Sequence, residues 1–167
     1  MPDDPTHTPS GAAGTALLLS LLSVNGLIIA QGDLLTKDSG LTAVRWQILN
    51  AASQELQTVS QLARRMNLTR QSLQGTVSVM IRTGFLTLVD NPNHLKAKLV
   101  AVTDKGRAAL VTLKTLQVRW IDAVCADFSP AELQRTKAVI ERFHAALDAT
   151  PVPRAKVTKS RTRARSA

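Results

Sequence analysis

Three side chains near the middle of the chain are of the kinds, and at the intervals, needed to read the edge of a base pair. Arg70, Gln71 and Gln74 stand at i, i+1 and i+4 in the run TRQSLQ, at the start of a stretch with helical spacing. A glutamine carboxamide can donate to one base-edge atom while accepting from its neighbour, and an arginine can reach a guanine edge or a phosphate. Thr69 and Ser72 flank them with hydroxyls suited to phosphate oxygens beside the unpaired N–H groups of a helix start. From Leu56 to Val89 there are four arginines (Arg64, Arg65, Arg70, Arg82) and no acid. A solvated helix face is the ordinary alternative for such a run. The local depletion of acid favours a polyanionic partner.

Holding these groups requires a helix, a tight link and a second helix. Thr58 is spaced three residues before Gln61, the pattern of a capping box, and opens a helix with Val59, Leu62, Ala63 and Met66 on one face. Asn67-Leu68 breaks it. Thr69 caps the next helix, which buries Leu73, Val77, Met80 and Ile81 and stops at Gly84. Strands over 85–89 and 98–102 follow, joined by a polar turn around Pro92 that offers His94, Lys96 and Lys98 to phosphates or an adjacent minor groove. A soluble turn is the plain alternative there. Upstream, Thr42 caps a helix over 41–52. Downstream, Thr103 or Asp104 opens a long helix to about Asp127, and Ser129-Pro130 starts a last one reaching Leu147. The expected fold class is mainly α (α+β): a winged helix-turn-helix with N- and C-terminal helices.

Composition narrows the function classes. The chain has 167 residues, of which 44% are hydrophobic, enough for one domain with tails. There are 21 Lys and Arg against 12 Asp and Glu, a net charge of +9. The segment after Pro151 carries six of those bases and no acid, so the rest, at 15 bases against 12 acids, is only about +3. One cysteine, Cys125, excludes an internal disulfide and a cysteine-based zinc site, and the three scattered histidines lack metal-ligand spacing. Two Trp, three Phe and no Tyr leave little to stack unpaired bases. No phosphate loop, nucleophile elbow or zinc-protease motif occurs, so neither an enzyme nor a cofactor is expected.

Residues 11–32 contain no charge and raise the question of a membrane span. Thr15, Ser20, Ser23 and Asn25 inside the run, and acids rather than bases before it, favour a buried helix. A second copy of the chain is the expected cover.

LTAVRWQIL, TVSQLARRMNLTRQSLQ, the GFL step, DNPNHLKAKLVAVT and DKGRAAL together resemble the MarR family of winged helix-turn-helix transcription regulators, closely over 41–110. The resemblance implies a homodimer built from the terminal helices, about 12–37 and 104–147, around a DNA-binding part at about 41–106. By composition, residues 1–10 and 150–167 are expected to be disordered, the latter a basic arm touching DNA only transiently, with a solubilising tail as the alternative. The implied function is a cytoplasmic, nucleoid-associated repressor that binds double-stranded palindromic operators without a membrane and is released by a small aromatic or phenolic effector. Asn25 and Trp46 are the candidate effector contacts, though Trp46 also suits the core. The implied DNA contacts are Arg64, Thr69, Arg70, Gln71, Ser72, Gln74, His94, Lys96 and Lys98. Two positions depart from the family's pattern. Gly75 stands where relatives carry an arginine after RQS-x-Q, and Asn93-His94-Leu95 replaces the acid-x-arginine of the wing. These departures motivate an alternative, an interaction or ligand-sequestering protein with weakened DNA binding. Redox sensors of the family use an N-terminal cysteine, so Cys125 is expected to be a buried small hydrophobe.

Overall fold

The computed structural model describes residues 6–94 and 96–153. Its elements run α1 (Pro9–Thr36), α2 (Ala43–Gln54), α3 (Val59–Arg65), α4 (Arg70–Arg82), β1 (Leu86–Val89), β2 (Leu99–Val102), α5 (Asp104–Val124) and α6 (Pro130–Ala149). The chain divides into two compact units, one up to Ile121 and one from Asp122.

The first unit is built on side chains almost wholly withdrawn from water: Ile48 and Leu49 of α2, Leu62 of α3, Leu73, Val77 and Met80 of α4, Leu86 and Val100 of the hairpin, and Leu113 of α5. The helix starts follow the side-chain oxygens available. Thr42, Thr58 and Thr69 each accept the backbone N–H three residues on, and Thr58 with Gln61 completes a reciprocal capping box. Between α3 and α4, Asn67 adopts φ 53, a left-handed conformation that asparagine tolerates better than most residues. The amide of Leu68 then donates to the Ala63 carbonyl at 2.9 Å, which closes the sharp turn between the two helices.

Gly84, at φ +79, ends α4 and lets the Phe85 amide return to the Met80 carbonyl at 2.9 Å. The hairpin is antiparallel, from Leu86 opposite Val102 to Val89 opposite Leu99. Gln57 adds an antiparallel bridge to Val100, so the segment before α3 is tied to the wing. The Lys105 ammonium donates to the Thr83 carbonyl at 2.8 Å and lies 4.4 Å from the Phe85 ring centroid, which locks α5 to the end of α4. Gly106 is needed where α5 crosses this junction, since a Cβ there would sit 2.4 Å from the Phe85 carbonyl oxygen.

The second unit is the end of α5, a turn and α6. Ser129 and Glu132 form another capping box with Pro130 in the first turn, and the Ser129 hydroxyl and amide hold the Glu132 carboxyl below its usual pKa. No residue of α6 is buried, and Leu133, Val139, Ile140 and Leu147 are exposed.

Several expectations are corrected. Pro9 and Ser10 are helical rather than disordered, because the Thr8 hydroxyl accepts the Gly11 amide and caps α1. Helix α5 ends at Val124, short of Asp127, so Cys125 lies in the following turn and is half-buried instead of buried in a helix. Helix α1 is a separate case, since its expected cover is a second copy of the chain. Its apolar run is uncovered within the chain, with Leu19, Leu22 and Leu27 more than 60% exposed (63%, 68% and 63%). It is long and apolar enough to cross a membrane, by length and composition alone. Only its last turns are packed: Gly32 lies against Ala43, Thr36 is buried, and the Asp33 carboxylate accepts the Ala43 amide at 2.7 Å. The basic positions from Arg154 onward, and Leu95, lie outside the described residues.

Candidate nucleic-acid interface

Arg70, Gln71, Ser72 and Gln74 occupy the first turns of α4, and all are exposed. The Thr69 hydroxyl accepts the Ser72 amide at 3.2 Å, and the Ser72 hydroxyl donates to the Thr69 carbonyl at 3.0 Å. Both hydroxyls therefore shape the helix start, whose N–H groups and dipole favour an anion in front of it. Gln74 lies one turn further along, its amide nitrogen 3.5 Å from the Ser78 hydroxyl. That contact is long and leaves the carboxamide easily redirected.

The wing completes a groove beside this helix. Arg70 and Gln74 share a cleft of about 220 Å³ with Lys96 and Lys98 of the hairpin, Thr58 and Ser60 of the α3 start, and Leu88 of β1. Two elements about 20 residues apart in sequence thus present one cationic, hydroxyl-rich surface. Ser60 and Leu88 are additions that the sequence did not single out. The Thr58-x-Ser60 pair at a helix start was the available signal for the first, whereas Leu88 reads as an ordinary strand residue. Arg64 is exposed on α3, and its Nε reaches its own helix at the Ser60 carbonyl (3.4 Å). Arg65 instead donates to the Gln54 side chain and braces α3 against α2.

The wing cations are not equivalent. Lys98 pairs with Asp90 across the hairpin, which keeps the Asp90 carboxyl below its ordinary value through the hydrogen bond and the neighbouring charge. That depressed pKa means the pairing is intact at neutral pH and is lost only as pH falls through the lowered value. The charge of Lys98 is therefore partly neutralised, while Lys96 is exposed with no acid paired to it among the described salt bridges. His94 shapes the tip: its Nδ1 accepts the Lys96 amide at 3.2 Å.

Gly75 faces open space: a methyl group added at its Cα would meet nothing within 4 Å, and its φ is not positive. Packing does not require glycine there. Gly75→Ala is expected to stabilise the fold by up to about 1 kcal/mol, read as a rise of a few degrees in Tm. A fall in Tm would show that the glycine serves the fold in some other way.

A second feature of this unit is a cavity of about 140 Å³ between α1, α2 and α5. Trp46, Gln47 and Asn50 of α2 face Gln117 and Trp120 of α5 across it, with Ile28 of α1 alongside. Trp46 thus serves two purposes, lining the cavity and packing on the core. Asn25, the other expected contact, does not line it: it lies almost one turn before Ile28 on an exposed part of α1. Trp120 and the three carboxamides were missed, although Trp46-Gln47-Asn50 and Gln117-x-x-Trp120 have the spacing that brings residues to one helix face.

A capped reading helix braced by a shorter helix, with a two-stranded wing beside it, defines a winged helix-turn-helix DNA-binding protein. The profile of the MarR family matches residues 39–97. An uncharacterized protein of Mycobacterium tuberculosis is 34% identical over 137 residues, 80% of this chain and 93% of its own length. The transcriptional activatory protein BadR of Rhodopseudomonas palustris is 27% identical over 125 residues, covering 72% of this chain and 71% of BadR. Among solved structures, Sco3205, a MarR family transcriptional regulator from Streptomyces coelicolor in complex with DNA, superposes with a TM-score of 0.71 at 20% identity, over 89% of this chain and 94% of that one. The chain belongs to the MarR family of transcriptional regulators, DNA-binding proteins with the winged-helix fold.

Proposed function

We propose that the chain is a homodimeric repressor that binds palindromic operator DNA through α4 and the wing. The observation that carries this reading is the shared groove of Arg70, Gln74, Lys96 and Lys98 at a capped helix N-terminus. Arg70, Gln71 and Gln74 read base edges. Thr69, Ser72 and Arg64 hold the backbone, as do His94, Lys96 and, more weakly, Lys98 on the wing. That Sco3205 was solved in complex with DNA supports the assignment.

The uncovered leucines of α1 support the dimer. Burying a leucine side chain contributes roughly 1.5–3 kcal/mol, so a second copy covering several of them is strongly favoured. A bilayer fits less well. The end of α1 is built into the DNA-binding unit through Gly32, Asp33 and Thr36, and the apolar run is interrupted by Ser20, Ser23 and Asn25. The location proposed with this reading is the cytoplasm, on the nucleoid. The Trp-lined cavity is the effector site, and α2, which forms one wall, also packs against α4 and β2. Occupancy of the cavity can thereby bias the reading helix.

A repressor acts by excluding polymerase from a bound promoter, whereas BadR is named an activatory protein. Mapping the bound sites in cells and deleting the gene separates the two. Transcripts next to bound sites are expected to rise on deletion. A fall would overturn the repressor reading in favour of activation.

A further inference from the structure

Both tryptophans of the chain, Trp46 and Trp120, line the same cavity, and besides the indoles the polar side chains on its wall among the described residues are carboxamides: Gln47, Asn50 and Gln117. Among the described residues, no charged side chain lines it. Lys114 lines a neighbouring groove that shares Trp46, Asn50 and Gln117, and it is exposed to solvent. Asp33, beside Gly32 of the cavity wall, is occupied in accepting the Ala43 amide at 2.7 Å.

These facts bear on the ligand's size, shape and charge. A cavity of about 140 Å³ is close to the roughly 150 Å³ that holds a benzene-sized molecule. Indole faces favour a flat ring in offset or edge-on contact. Carboxamides supply N–H donors and carbonyl acceptors together, which suits a ligand edge that also carries both. The carboxamides are exposed and the indoles half-buried, so a carboxylate held against the rings would give up part of its water without gaining a cationic partner, and an ammonium without an anionic one. An exposed lysine in the adjoining groove offsets little of that loss.

We infer that the cavity selects an uncharged planar molecule of about one ring bearing an amide-like donor–acceptor edge, and discriminates against aromatic acids and amines of the same size. The inference rests on the reading of this cavity as the effector site and adds the chemical class of the effector. Intrinsic fluorescence reports on it directly, because the chain has no tyrosine and both indoles are in the wall. The full-length protein is titrated at neutral pH with benzamide, benzoate and benzylammonium, following tryptophan emission. Benzamide is expected to shift the emission and to bind at least about tenfold tighter than either ion. Gln47→Lys, at an exposed wall position, is expected to move the preference to benzoate. Equal or tighter binding of benzoate or benzylammonium to the unaltered protein overturns the inference. So does unchanged emission with all three at millimolar concentration. Release of operator DNA is measured separately by fluorescence anisotropy. Benzamide that binds without releasing DNA would sink the effector reading and leave the charge selectivity standing, whereas release by benzoate with tight binding would do the reverse.

Discussion

Replacing Arg70 and Gln74 together by alanine is expected to weaken specific operator binding by at least about a hundredfold while leaving the fold and the dimer intact. Each base-edge contact contributes roughly 1–3 kcal/mol of discrimination, and a two-fold dimer places both residues in each half-site. Both side chains are exposed and neither is part of the core, so their loss removes no packing. The two positions also separate by mechanism. Gln74→Ala removes an uncharged reader, so binding to unrelated duplex and its salt dependence should barely change. Arg70→Ala removes a cation as well, and should reduce the slope of log affinity against log salt by about one per half-site. Affinities by anisotropy at several salt concentrations, beside melting curves of the free proteins, check each part. If both single variants bind the operator like the unaltered chain, the reading face lies elsewhere on the helix.

The second large effect is expected at α1. Leu19 and Leu22 are 63% and 68% exposed in the single chain, three residues apart on a helix that is apolar on every side. Changing both to glutamate would place two charges on a surface proposed to be dry in the dimer. The lost burial alone, at roughly 1.5–3 kcal/mol per leucine, corresponds to dimer dissociation at concentrations at least a hundredfold higher. Operator affinity should fall with it, because the second half-site is then no longer held in place at high effective concentration. The winged unit should stay folded, since neither leucine belongs to its core cluster. Analytical ultracentrifugation gives the mass, and far-ultraviolet circular dichroism confirms the fold. A double variant that remains a dimer at micromolar concentration would contradict the placement of the interface on this part of α1.

How much of this was legible in the sequence depends on the range over which each feature is determined. The capping threonines, the Thr58–Gln61 box, the Ser129-Pro130 start and the stop at Gly84 are local, set by three or four consecutive residues, and are readable directly. So are the two short apolar runs on either side of the Pro92 turn, which pair as the hairpin with Leu86 and Val100 buried. Features created between distant elements are not. The pairing of Lys98 with Asp90 follows from hairpin register, and it removes part of a charge that composition counts in full. The cavity needs α2 and α5 side by side, so Trp46 can be read as a candidate while Trp120 and Gln117, some 70 residues later, cannot be joined to it. Asn25 is polar in an apolar run, and that property does not fix where a helix faces. Burial of α1 is expected from its composition, but a single chain offers nothing to cover it.

The departures at Gly75 and in the wing bear on the affinity of the protein rather than its class. Open space around Gly75 means that a side chain there would fit, so the glycine is not a requirement of the packing. With Lys98 paired to Asp90, Lys96 is the wing's principal free cation among the described residues. On the proposed function, specificity is expected to rest on α4 more than on the wing, because a lysine lacks the guanidinium fork that suits minor-groove reading.

Whether this winged helix reads a two-fold operator is decided by selecting bound duplexes from a random library with the purified full-length protein and sequencing them. An enriched inverted repeat is expected, with half-sites centred about one helical turn apart, roughly 10 base pairs. That enrichment should vanish in the Arg70→Ala, Gln74→Ala protein. Duplexes with no enriched sequence at low salt, or with a single unrepeated site, would contradict a dimer reading DNA through α4.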